Sequence, residues 1–270
     1  MAVTTWVRRI GVVVVAVSLV AAAVVVVLAL RHHSQPAPTC RVSNATTTYS
    51  LDPDQAANST TIAAVGKRLN LPDHAVTVAL AAALQESRLR NLAYGDRDSL
   101  GLFQQRPSQG WGTATEIMTP SYAAAAFFRA LTRVTNWEKL SITDAAQEVQ
   151  RSGAPTAYAQ WEPEARTLAI AFTGETEAGV ACRFSLPRNS DPAPAFVSTM
   201  RNELGVGSLD ASFAKSRGWT IATWLVGHAQ RFRLTRVSFH GREWRASTGR
   251  WHEAVPNDDH VRYEQQPAST

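Results

Sequence analysis

The stretch 71–111 constrains this chain most, because an unusually small-sided apolar run ends in a lone acid and passes straight into a polar loop. Pro72 and Asp73 give a helix start signal, proline being tolerated in a first turn and an early acid suiting the positive helix end. Val76, Leu80 and Leu84 recur every four residues and form one apolar stripe. Ala79, Ala81, Ala82 and Ala83 favour helix and leave little bulk. On this helix Glu86 shares a face with Ala82, Ala83 and Leu89. A carboxyl among small apolar groups is partly desolvated, and desolvation favours the protonated form. That proton is what an acid catalyst of glycosidic cleavage donates. The competing reading is a surface ion pair between Glu86 and Arg90, four residues on.

The loop after this helix adds a second element. Glu86-Ser87, then Ser99-Leu100-Gly101-Leu102-Phe103-Gln104, resembles the first two motifs of lysozyme-like lytic transglycosylases and goose-type lysozymes, with Phe103 in a place held by Met. The resemblance covers roughly Thr61 to Thr173. It implies a mostly helical domain with a groove for a glycan strand, Glu86 as general acid/base, and Ser87, Gly101 and Gln104 shaping the cleft. Gln105 and Arg106 are read as a polar cleft edge. A retaining or inverting glycosidase also uses a second carboxylate, for which Asp96 and Asp98 are the candidates. Asp in a Gly-Asp-Arg-Asp loop equally serves turn chemistry, and a lytic transglycosylase needs no second acid. Where the resembled family carries Ala-Tyr-Asn-Ala-Gly, this chain reads Ala145-Ala146-Gln147-Glu148-Val149-Gln150. Gln147, Gln150 or Tyr158 is expected to substitute. Glu148, a competing acid, is assigned to a solvated helix face, and Trp111 and Trp137 to packing or sugar stacking.

The remaining helices are expected at about 52–69, 121–132, 141–152 (capped by Ser141 or Thr143), 161–172, 197–204 and 219–230. Strands are expected at 234–239, 243–246 and 251–255. The fold class is therefore α+β: a mostly helical lysozyme-like domain over 61–183, a proline-containing linker over 184–196, a small α+β module over 197–264 and a tail over 265–270. The end of that module, Asp259-His260-Val261-Arg262, resembles the C-terminal domains of some actinobacterial wall-hydrolase-like proteins, which close on Asp-His-Val-His. His228, His240, His252 and His260 follow no standard zinc spacing, so no metal and no cofactor are expected.

The N-terminus carries a different signal. Residues 10–30 are 21 positions without a charge, almost all Val, Ala and Leu, after Arg8 and Arg9. A helix of that length spans about 31 Å, the thickness of a hydrocarbon core. The expectation is a cytoplasmic tail over 1–9, an uncleaved transmembrane helix over 10–30 and a stalk over 31–60, with the bulk of the chain outside the cell membrane. Cys40 and Cys182 are the only two cysteines, and an exported chain invites them to pair. Net charge is +5 with a pI near 9.6, two of the positive charges being Arg8 and Arg9. That mild excess suits an anionic cell wall and carries no nucleic-acid signature. The expected partner is the glycan strand of peptidoglycan; the rival class is a non-catalytic wall-binding protein that keeps the fold.

Overall fold

The computed structural model describes residues 19–27, 37–186 and 195–266. The chain divides into residues 1–37 and a second unit over 38–270. In the first unit, residues 19–27 are helical. Among the described residues no helix is long and apolar enough to cross a membrane, which corrects the expected transmembrane helix over 10–30. The rest of that run, and the expected tail over 1–9, lie outside the described residues.

The second unit is α+β. Its first sheet holds β1 (Thr39–Ser43), β2 (Thr48–Leu51) and β3 (Val180–Arg183), in the antiparallel order β2-β1-β3. A helical body comes after β2: α1 (Pro53–Arg68), α2 (Asp73–Ser87), α3 (Ala114–Ile117), α4 (Pro120–Leu131), α5 (Ile142–Gln150) and α6 (Glu162–Phe172). After β3 come α7 (Val197–Leu204), α8 (Lys215–Gly227) and α9 (Ala229–Phe232). The second sheet, also antiparallel, orders β4 (Leu234–Phe239), β5 (Arg242–Arg245), β6 (Arg250–Glu253) and β7 (Arg262–Gln265) as β6-β5-β4-β7.

Local chemistry sets these boundaries. Asp52 and Gln55 form a reciprocal capping box at the start of α1. Ser141 caps α5 through the Asp144 amide. The central helix α2 is apolar nearly all round, from Ala75 to Leu84, because α1, α4, α5 and α6 all pack on it. Its alanines let those neighbours come close.

Two expectations about organisation change here. The segment read as a stalk over 31–60 instead carries β1, β2 and the start of α1. Cys40 lies directly opposite Cys182 in the β1–β3 pairing, and the two form a disulfide. The bridge closes a loop of 142 residues around the helical body. The C-terminal stretch, expected as a separate module, shares its buried cluster with that body. Trp219, Trp224 and Trp244 are fully buried in it. The Trp244 and Trp251 indoles donate to the Cys182 and Val180 carbonyls at 3.0 and 2.7 Å. The Thr220 hydroxyl donates to the Thr173 carbonyl at 2.6 Å. Gly174, at φ +83, makes that approach feasible, since a Cβ there would lie 2.5 Å from the Thr220 amide nitrogen. Of the expected linker, residues 187–194 lie outside the described residues.

Candidate active site

Glu86 occupies the last turn of α2 and is half-buried. Its neighbour Ser87 is buried and fixes the helix end: the hydroxyl bonds the Ala83 carbonyl at 3.1 Å and the Leu102 carbonyl at 2.7 Å. The helix stops there because Arg88 and Leu89 turn into the left-handed region, with φ of 54° and 61°. Arg88 then lies over the Trp161 ring, 3.9 Å from its centroid. Gln85 accepts from the Trp161 indole at 2.8 Å and the Gln160 amide at 3.2 Å. The end of α2 is thus clamped on both sides.

Leu102 belongs to a tight turn. Leu100 and Gln105 exchange backbone hydrogen bonds of 2.9 and 3.0 Å, and residues 101–104 form the loop between them. Gly101 is required: φ is +75, its amide donates to the Leu92 carbonyl at 2.7 Å, and a Cβ would sit 2.8 Å from the Ile117 carbonyl oxygen. Phe103 is buried and stacks on Phe127 with centroids 4.7 Å apart. The Gln150 amide reaches from α5 to the Phe103 carbonyl at 2.8 Å. Gln104 is half-buried and left-handed at φ 47°, with its amide 3.3 and 3.4 Å from the Tyr94 and Gly101 carbonyls.

The partner of Glu86 comes from far along the chain. Tyr158, fully buried just before α6, donates its hydroxyl to Glu86 Oε1 at 2.7 Å. Burial first, and the adjacent Glu86 carboxylate second, hold the Tyr158 hydroxyl well above the ordinary tyrosine range, against a lowering by Ser152. It therefore stays a proton-bearing donor at any ordinary pH. Among the described residues Glu86 Oε2 has no protein hydrogen-bond partner. Of the three residues offered as substitutes for the missing motif, Tyr158 is the one in contact with Glu86. Gln150 braces the Phe103 loop, and Gln147 bonds to Ser152.

The ion-pair reading of Glu86 with Arg90 is replaced by another pairing: Arg90 binds Asp52, the cap of α1. Neither candidate second carboxylate is bonded to Glu86. Asp96 is exposed, its nearest ion partner being Arg97 at 4.0 Å. Asp98 accepts from Arg106 Nε at 2.8 Å, the Ser108 amide at 2.8 Å and the Ser108 hydroxyl at 3.0 Å. Those donors, Arg106 foremost, hold its carboxyl far below the usual range. Asp98 is thus a turn anchor that fixes the 3₁₀ turn Pro107–Gln109. Gln105, expected at the cleft edge, is buried, and its amide donates to the Ala123 carbonyl at 3.2 Å.

A groove of about 1250 Å³ is lined by residues that include Trp111, Tyr122, Arg129, Arg133, Gln150 and Arg151. Glu86 is not among its lining residues. Gln150 belongs both to this groove and to the bond that holds the Phe103 loop. Among the described residues no group of three His, Cys, Asp or Glu side chains is placed to hold a metal ion. The clamp made by Gln85, Arg88 and Trp161 was not anticipated from the sequence; its one signal was a Gln-Trp pair next to the tyrosine. No protein-family model and no curated protein matches this chain.

Proposed function

We propose that the second unit is a glycosidase-type enzyme acting on the glycan strand of peptidoglycan, with Glu86 as general acid/base. The observation that carries this reading is the 2.7 Å hydrogen bond from Tyr158 to Glu86 Oε1. It leaves a half-buried carboxylate with one oxygen oriented by a permanent donor and the other without a protein partner. A general acid needs such an arrangement: a fixed carboxyl whose remaining oxygen can reach the glycosidic oxygen. Ser87, Gly101 and Gln104 act as positioning residues, holding the 101–104 loop against the end of α2. The motif resemblance to lysozyme-like lytic transglycosylases agrees with this geometry. With Asp98 held by Arg106 and Ser108 and Asp96 exposed, we write the reaction as a lytic transglycosylase step, which needs no second acid. Glu86 protonates the leaving oxygen and then takes the proton from the sugar hydroxyl that closes the anhydro ring. The disulfide supports a location outside the reducing cytosol.

The test is muropeptide release from cell-wall sacculi by the full chain and by Glu86→Gln. The expected outcome is release by the parent and a fall of about 100-fold or more in the variant. Equal release by both would remove Glu86 from the mechanism. A second reading, a non-catalytic wall-binding protein, draws on the groove of about 1250 Å³ being lined without Glu86. It expects sacculus pull-down with no fragment released by either form.

A further inference from the structure

The groove beside the Phe103 loop has a charge pattern of its own. Arg129 sits in the last turn of α4, Arg133 just past it, and Arg151 at the left-handed end of α5. All three are exposed, and none has a carboxylate partner among the described residues. Glu148, one turn back on α5, is the single acid of the lining and is likewise unpaired among the described residues. Three like charges around one cavity repel one another, with Arg129 lying over the Tyr122 ring, 5.6 Å from its centroid. An anion that bridges them removes that repulsion and forms bidentate bonds that water cannot match in geometry. Trp111 and Tyr122 give the groove an aromatic wall, and the Tyr122 hydroxyl bonds the Trp111 carbonyl at 3.4 Å. The wall depends on Gly112, where a Cβ would lie 2.6 Å from the Tyr122 hydroxyl. Asp98, by pinning Ser108, fixes the chain leading into it.

We propose that this groove binds the acidic peptide that branches from the glycan strand, with its carboxylates on Arg129, Arg133 and Arg151 and its free amine on Glu148. The proposal rests on the peptidoglycan reading of Glu86, and it supplies what that reading lacks, a role for this groove. Three cations and one anion match a short peptide with several carboxylates and one ammonium. A uniformly anionic phosphate polymer would meet Glu148 unfavourably. The Gln150 bond to the Phe103 carbonyl joins the two places physically. An occupied groove would therefore hold the same loop that Ser87 ties to the acid.

The test uses a synthetic N-acetyl-alanyl-γ-glutamyl-diaminopimelate peptide with no sugar attached, so that the diaminopimelate amine is its one free amine, titrated into the full chain by calorimetry and by NMR. Expected are saturable binding that weakens with salt, and shifts centred on the Trp111 indole and the Arg129 and Arg151 side chains. The exposed triple substitution Arg129→Gln, Arg133→Gln, Arg151→Gln should weaken binding about tenfold or more. Glu148→Gln should erase the preference for this peptide over one in which the free amine is acetylated. Glu86→Gln should bind the peptide as the parent does. No binding by the parent, shifts centred elsewhere, equal binding by the triple variant, or displacement by a poly(glycerol phosphate) that binds more tightly would overturn the proposal. The probe has no glycosidic bond, so peptide binding without glycan cleavage would remove the Glu86 reading and leave the groove. Cleavage without peptide binding would remove the groove alone.

Discussion

Two acids of this protein sit against aromatic donors, and only one is left open. Glu203 on α7 is sealed in the core, and its Oε2 collects three neighbours. These are Trp224 Nε1 at 2.7 Å, Thr61 Oγ1 at 3.0 Å and His228 Nε2 at 3.2 Å. Burial alone would raise its carboxyl; the charge of His228 and the hydrogen bonds more than offset this and leave it lowered. Glu86 has one donor, a tyrosine, and a second oxygen free of protein partners among the described residues. The Glu203 cluster joins α1, α7 and α8, so it welds the C-terminal stretch to the helical body. The contrast shows that burial alone does not mark a reactive acid. A carboxylate sealed in the core with three neighbours on one oxygen is a structural joint, and a half-buried one with a single donor is available for chemistry.

The largest stability effect should come from breaking the sealed acid. Glu203→Ala leaves Trp224 Nε1 buried without a partner and His228 Nε2 with only the Thr61 hydroxyl at 3.3 Å, and should destabilise the fold by about 3–5 kcal/mol. For a unit of this size that lowers Tm by about 10 °C in thermal unfolding. A loss as small as that of an exposed acid would erase the distinction between the two sites. The lowered carboxyl adds a pH signature. Its stability contribution is present above the ordinary carboxylate range and is lost as pH falls from there through the lowered folded range, so the parent should weaken on acidification more than Glu203→Ala. Next in size is Cys40→Ser, which opens the 142-residue loop and should cost about 2–4 kcal/mol. Urea titration reads it, and reducing the parent should reproduce most of the loss.

Tyr158→Phe removes the sole oriented donor that the described residues offer Glu86, while keeping the ring. Glycan cleavage should fall about tenfold, with a change in Tm well below that of Glu203→Ala. An unchanged rate would mean the hydrogen bond plays no part in catalysis. The smallest effect concerns Glu175, whose carboxyl is pushed up to about 7 by hydrogen bonding to Asp73, with burial and the Asp73 charge adding and Lys67 opposing. An acid raised in the folded state stabilises below its unfolded range, and that contribution fades as pH climbs through about 7. Glu175 is exposed, so the effect should be about 1 kcal/mol at most. Glu175→Gln should flatten stability between pH 5 and 8 (roughly the span of this titration) in chemical denaturation.

The helical body was largely legible in the sequence because its signals are local. Asp52-Pro53, Ser141 and the Leu-Val spacing of α2 mark helix ends and faces within a few residues. The first sheet was not legible, since β1 and β2 lie in a Thr- and Ser-rich stretch and β1 completes its pairing with β3, about 140 residues on. The same reason hid the shared core: the stretch 197–264 read as a separate module because its partners in α1, α6 and β3 lie far away in sequence. At the site, the relation of Glu86-Ser87 to the Gly101 loop came from motif order. The choice of Tyr158 over Gln147 or Gln150 did not, because 72 residues separate it from Glu86. The apolar run at the N-terminus lies partly outside the described residues, and among the described ones no helix is long and apolar enough to cross a membrane, against what its composition suggested.

If the half-open acid at the end of α2 breaks a sugar–sugar bond, the products carry its mark. Mass spectrometry of the fragments released from purified sacculi reads that mark. Muropeptides with an anhydro end are expected from the parent, and none above background from Glu86→Gln. Intact sacculi after incubation with a folded, disulfide-bonded parent would contradict the assignment of Glu86 as the acid/base.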